Sequence, residues 1–221
     1  IHGQYQVNLR VTDNNFCVND TSDTITVWPR PIADYSVDTV CFGDSSTFVD
    51  LSSITAPLGA SINSWSWDFG DGGSSTTQSP FRPFINHGVF TTTLTVTDTN
   101  SCQDSISYTV IVDSLPIANF TADTACFGSL TSLQDQSFGR GASITNWLWD
   151  FDNTTSSISQ NPSLTYTAAG NYQVRLDITD SKGCEDDTTI TVVVDTLPIP
   201  IFSFTDLCLT DTANFTDLSQ V

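Results

Sequence analysis

The residues best suited to covalent chemistry in this chain are six cysteines. They fall into three pairs, Cys17 and Cys41, Cys102 and Cys126, and Cys184 and Cys208, each separated by 24 positions. Thiols placed this regularly point to disulfide bonding in an oxidising compartment. Two carboxylates, Asp68 and Asp71, sit close together in Asp68-Phe69-Gly70-Asp71-Gly72, and such oxygens suit a hard cation such as calcium. The same residue types also suit a tight hairpin turn. The second copy of this stretch carries Asp152-Asn153-Thr154 in place of Gly70-Asp71-Gly72. A repeated metal site would not change its ligands in this way, so calcium is the less favoured reading. His2 and His87 are the only histidines, and no nucleophile elbow, zinc-protease or phosphate-loop motif occurs. No catalytic residue and no cofactor is expected.

The cysteines belong to a longer repeat. Gly3, Gly88 and Gly170 lie fourteen positions before the first cysteine of each pair, and Asp50, Asp135 and Asp217 lie nine after the second. A repeat of this length is an independent small domain, not a solenoid unit. Strand signals fill it. Val7, Leu9 and Val11 alternate with polar residues, as do Phe90, Thr92, Leu94 and Val96, and again Tyr172, Val174, Leu176 and Ile178. This period of two marks sheets with one buried face, and no stretch keeps a helical period. Many short strands with frequent turn signals predict a β-sandwich or barrel. Residues 31–113 and 114–195 each read as a complete repeat. Residues 1–30 match only its last part and residues 196–221 only its first, so the expectation is a segment of a longer array. Short linkers ending in Pro116 and Pro198 predict semi-rigid junctions.

Composition narrows the partners. The formal charge is −19 on 221 residues, which disfavours nucleic acid and anionic membrane surfaces. No apolar run approaches the ~20 residues of a membrane span, so membrane insertion of this segment is not expected.

The stretch Trp65-Ser66-Trp67-Asp68-Phe69-Gly70-Asp71-Gly72, followed by Ser79-Pro80, Gly88-Val89-Phe90 and Thr97-Asp98, resembles the signature of the polycystic kidney disease (PKD) domain. Trp147-Leu148-Trp149-Asp150-Phe151, Asn161-Pro162, Gly170-Asn171-Tyr172 and Thr179-Asp180 repeat it. The resemblance implies an all-β fold of tandem immunoglobulin-like sandwiches of about seven strands each. It implies that Trp65, Trp67, Phe69, Trp147, Trp149, Phe151 and Tyr172 form the core signature, with Tyr172 at the place of a tyrosine corner. The added cysteines are similar to those of PKD arrays in secreted Bacteroidota surface proteins, including gliding adhesins exported by type IX secretion. That likeness implies an extracellular stalk, filament or adhesin segment whose partners are neighbouring PKD domains, other filament chains or surface glycans. An accessory module that binds polysaccharide for a secreted enzyme is the alternative, since tryptophans stack on sugars.

On such a fold a cysteine between the first two strands lies at the end where the chain leaves. One between the last two strands lies at the end where it enters. Cys41 with Cys102, or Cys102 with Cys126, would then span tens of ångströms, against roughly 7 Å between the Cα atoms of a cystine. The favoured arrangement is an interdomain Cys41–Cys184 bond, with Cys17, Cys102, Cys126 and Cys208 pairing with domains beyond this stretch; the alternative is that the cysteines stay reduced or pair between chains. Asp-Ser/Thr followed by an aliphatic residue or Thr, at Thr24, Thr39, Ser105, Ser114, Thr124, Thr188, Thr196 and Thr212, looks like a Bacteroidota acceptor motif for O-glycosylation. The same dipeptide also serves as plain strand-entry chemistry.

Overall fold

The computed structural model describes residues 2–55, 59–206, 208–209 and 212–220. Among the described residues every regular element is a strand. The chain divides into two compact units, Ile1–Asp113 and Ser114–Val221.

The first unit opens with a hairpin, β1 (Gly3–Thr12) and β2 (Val18–Val27). Its main body follows as β3 (Tyr35–Val37), β4 (Val40–Cys41), β5 (Ser45–Asp50), β6 (Ile62–Asp68), β7 (Ser74–Ser75), β8 (Phe81–Pro83), β9 (Gly88–Asp98) and β10 (Gln103–Asp113). These form two sheets, of order β3-β5-β8 and β4-β10-β9-β6-β7. The first strand of the sandwich is split. β3 pairs antiparallel with β5, whereas β4 crosses to the other sheet and runs parallel to the end of β10.

The second unit repeats the pattern. β11 (Phe120–Ala122), β12 (Ala125–Cys126), β13 (Leu130–Asp135), β14 (Ile144–Asp150), β15 (Ser156–Ser157), β16 (Ser163–Thr165), β17 (Gly170–Asp180) and β18 (Glu185–Asp195) build sheets β11-β13-β16 and β12-β18-β17-β14-β15. A last pair, β19 (Phe202–Phe204) and β20 (Phe215–Asp217), stands by itself as a two-stranded sheet.

Alternation places the cores between the sheets. In the first unit Tyr35, Phe48, Trp67, Phe69, Leu94, Val96, Val110 and Val112 are buried in one cluster. Trp67 faces Leu94 in register across β6 and β9, as Trp149 faces Leu176 across β14 and β17. Both tryptophans turn the indole N–H to a backbone carbonyl, Thr77 at 2.9 Å and Ser159 at 2.9 Å. A buried indole N–H left without an acceptor would be costly, so the loop after β7 or β15 is held to the core by this bond.

The two cores are not copies. In the first unit the Tyr35 hydroxyl donates to the Thr92 carbonyl at 2.8 Å and contacts Thr92 Oγ1. It also accepts the Tyr108 N–H at 3.1 Å. In the second unit Phe120 and Val174 hold the positions of Tyr35 and Thr92, so both side-chain hydroxyls of the node are lost together. Partial replacement is the costly case, since it leaves a buried group unsatisfied. Tyr35→Phe alone is therefore expected to destabilise the first unit by about 1–3 kcal/mol. Adding Thr92→Val should recover part of that loss. Denaturant unfolding in a double-mutant cycle reads the coupling, and strictly additive losses would contradict the node.

Candidate functional site

Each cysteine hairpin is built the same way. Asp13 Oδ1 accepts the N–H of Asn15 at 2.8 Å and of Cys17 at 2.9 Å. Asp98 Oδ1 does so for Asn100 at 2.9 Å and Cys102 at 2.8 Å. Asp180 Oδ1 does so for Lys182 at 2.9 Å and Cys184 at 3.0 Å. The residue before each cysteine, Phe16, Ser101 or Gly183, has positive φ, a conformation costing roughly 1–2 kcal/mol with a side chain. The carboxylate clasp offsets that strain and fixes where the thiol sits. Cys17, Cys102 and Cys184 are thus equivalent in position, each at the tip of a long hairpin, which for Cys102 and Cys184 joins the last two strands of a sandwich.

Cys41 and Cys126 occupy the opposite end. The sequence reading put them in the turn between the first two strands. The structure places them on β4 and β12, in register with Asp113 and Asp195 at the ends of β10 and β18. The next residues continue the ladder, Phe42 N–H to Asp113 O at 2.7 Å and Phe127 N–H to Asp195 O at 2.8 Å. Cys102 directly precedes β10 and Cys41 lies beside its last residue. The ten steps between Gln103 and Asp113 cover about 33 Å at ~3.3 Å per residue. Cys41 and Cys184 are each disulfide-bonded. Cys17, Cys102 and Cys126 hold free thiols.

Asp50 and Asp135, seen in the sequence only as repeat landmarks, are acceptors for three elements at once. Asp50 Oδ2 takes the Trp65 indole N–H at 2.7 Å and the Gln78 amide at 2.9 Å, and Oδ1 takes the Ser52 N–H at 3.0 Å. Asp135 repeats this with Trp147 at 2.8 Å, Gln160 at 3.0 Å and Ser137 at 2.9 Å. Trp65 and Trp147 are half-buried and pack against their cores, so all four signature indoles are engaged within their own units. Burial pushes both carboxyls up, but the bonds from serine, glutamine and tryptophan outweigh it and hold them below the ordinary range.

At the Asp68–Asp71 turn the carboxylates serve the loop. Asp68 Oδ1 caps Gly70 N–H and Asp71 Oδ1 caps Gly73 N–H, both at 2.9 Å. Asp71 Oδ2 pairs with Arg82, whose guanidinium lies 4.7 Å from the Phe69 ring centroid. Asn153 and Leu164 replace Asp71 and Arg82 in the second unit, so charge is lost from both partners together. Among the described residues no group of three or more candidate ligands gathers for a metal. The Tyr172 hydroxyl donates to the Ala168 carbonyl at 2.9 Å and its ring stacks on Tyr166. Phe90 instead stacks on Phe84.

Among the flagged hydroxyls, Thr24, Thr39, Ser105, Thr124, Thr196 and Thr212 are exposed. Thr188 is half-buried, and Ser114 is half-buried with its hydroxyl donating to the Arg140 carbonyl. Asp211, the acid preceding Thr212, lies outside the described residues. No helix among the described residues is long and apolar enough to cross a membrane.

Split first strand, tryptophan-filled core and two facing sheets define immunoglobulin-like β-sandwiches in tandem. Residues 28–112 and 113–195 each match the family described as PKD domain, and the chain belongs to that family. It is 37% identical over 81 residues to the pre-pro-metalloprotease PrtV of Vibrio cholerae, a match covering 37% of this chain and 9% of that protein. Among solved structures it is similar to the PKD1 domain of Vibrio anguillarum Epp, with 34% identity and a TM-score of 0.37, over 38% of this chain and 99% of that one. The PKD1 domain of V. cholerae PrtV gives 35% identity and a TM-score of 0.35, over 37% and 99%. PKD domains are non-catalytic modules, typically extracellular.

The lowered carboxyls set the acid response. A group whose folded pKa is depressed stabilises fully above its unfolded value, roughly 3.9 for aspartate, and loses that contribution as pH falls through the folded value. Melting temperatures from pH 6 to 2 should therefore fall more steeply for the wild type than for an Asp50→Asn, Asp135→Asn variant. The variant should also melt lower at pH 6. Parallel curves would refute the assignment.

Proposed function

We propose that this chain is a non-catalytic structural segment of an extracellular stalk, filament or adhesin of the Bacteroidota surface type, stiffened by a Cys41–Cys184 bond between its two PKD domains. The carrying observation is the division among equivalent cysteines. Cys41 and Cys184 are disulfide-bonded, whereas Cys102, Cys126 and Cys17 hold thiols. One exit-end and one entry-end cysteine is the combination that strand order favours. The remaining thiols find their partners on neighbouring domains of the same array. A bond that bypasses the linker resists bending and carries tension. Non-reducing peptide mapping should return a Cys41–Cys184 peptide. A Cys102–Cys126 or Cys41–Cys102 peptide in its place would sink this reading.

The exposed Asp-Ser/Thr sites extend the proposal to a glycosylated surface, with Thr24, Thr39, Ser105, Thr124, Thr196 and Thr212 the better acceptors. Native material should carry hexose-bearing peptides at several of them by glycopeptide mass spectrometry, and bare peptides throughout would count against it. The second reading, an accessory module of a secreted enzyme, is favoured by the likeness to a metalloprotease precursor. A glycan or polysaccharide pull-down that is lost on mutating Trp65 or Trp147 would support it over the stalk.

A further inference from the structure

The seam between the first and last strands of a sandwich is built differently in the two units. In the second unit β11 pairs with β13, and β12 joins β18 only at Val194 and Asp195. Further up, the Ala118 N–H donates to Asp186 Oδ2 at 2.8 Å. Between these two ties no strand among the described residues pairs with β18 on that side. The Asp195 carbonyl faces β12, where it accepts the Phe127 N–H at 2.8 Å. Backbone groups alternate between the two edges of a strand. Those of Val193, Thr191 and Thr189 therefore point to the same open edge.

In the first unit the corresponding seam is latched. The Tyr108 hydroxyl donates to Asp34 Oδ1 at 2.9 Å, and its ring packs on Tyr35 with 4.9 Å between centroids. Ile190 and Asn119 stand at the positions of Tyr108 and Asp34 in the second unit, and an aliphatic side chain cannot make that bond. A cleft of about 360 Å³ opens there, lined by residues 120–124 and 190–193. Its floor is the core itself. Phe120 and Val192 are buried, with Ala122 and Ile190 packed against them. Asp123 lies in the cleft, and no lysine or arginine lines it. Asp186 closes its upper end, with Asp187 next along β18.

We propose that this seam binds an extended, basic peptide segment of another protein, which adds to the open edge of β18 as a short strand. Three features select that occupant. Unpaired backbone groups on Thr189, Thr191 and Val193 call for a main chain in extended form, and the floor between Phe120 and Val192 takes one inward aliphatic side chain. The acids at Asp123, Asp186 and Asp187 call for lysine or arginine at the flanks of the segment. The stretch from Thr189 to Val193 spans about 13 Å at ~3.3 Å per residue, which fits a strand of about five residues. A second copy of this chain is a poor occupant. It carries a formal charge of −19, and edge-to-edge pairing of β18 with itself would set like charges against each other. The first unit, with Tyr108 latched to Asp34, does not offer the same site.

The test uses the full chain, nitrogen-15-labelled, with the capped peptide Lys-Thr-Val-Thr-Val-Thr-Lys as probe. Titration should move the amide resonances of Thr189, Thr191 and Val193. Thr191→Pro removes an N–H that faces the cleft and not β17, so the sheet is kept. It should weaken binding about tenfold, the worth of one hydrogen bond. Ile190→Tyr with Asn119→Asp installs the latch of the first unit and should abolish binding. A probe with glutamate in place of both lysines should bind more weakly, and added salt should narrow that difference. Tryptophan fluorescence reports that the units stay folded in each variant. Amides that stay still at millimolar peptide, or binding indifferent to both variants, would overturn the proposal. Movement of the same amides on raising the concentration of the chain alone would overturn it too, by giving the edge to a second copy.

Discussion

The length of the last strand governs this protein. β10 and β18 each run eleven residues without interruption, and at ~3.3 Å per residue that separates the two ends of a sandwich by more than 30 Å. Each complete repeat places one cysteine at the start of that strand and one beside its end. A bond between the two cysteines of one domain is therefore ruled out by distance. Everything proposed about stiffness follows from this separation. The sandwich core, by contrast, needs no cystine. Its stability comes from tryptophan, phenylalanine and aliphatic residues, and in each unit the indole that fills the centre is tied to a backbone carbonyl.

The differences between the units show how such a core changes. The Tyr35 and Thr92 hydroxyls and the Asp71–Arg82 pair are each lost together in the second unit, replaced by Phe120 and Val174 and by Asn153 and Leu164. A buried polar group without its partner costs more than an apolar group in the same place. Divergence of a repeat thus proceeds by paired replacement. The Asp50 and Asp135 nodes are kept in both units because one carboxylate ties together the second strand, the tryptophan strand and the loop bearing Gln78 or Gln160.

Much of this was legible in the residues themselves. Alternation at Leu94 and Val96, or Leu176 and Ile178, marked the strands. The Trp-x-Trp-Asp-Phe stretch marked the sandwich, and the cysteine spacing marked the repeat. What could not be read was convergence. Asp50 stands far from Trp65 and Gln78 in sequence, and no spacing rule brings the three together. The sheet switch between β3 and β4 was also hidden, because two-residue strands carry no periodicity. Cys41 consequently lies on a strand that sequence alone described as a turn.

The central claim is that tension passes from Cys41 to Cys184 without loading the chain between them. Single-molecule pulling on the full chain, before and after reduction, tests it directly. In the oxidised protein the residues between these cysteines should add no contour length. Reduction should release roughly 50 nm, at ~3.6 Å per extended residue, as two domain-unfolding steps. The same two steps appearing in the oxidised protein would contradict the account.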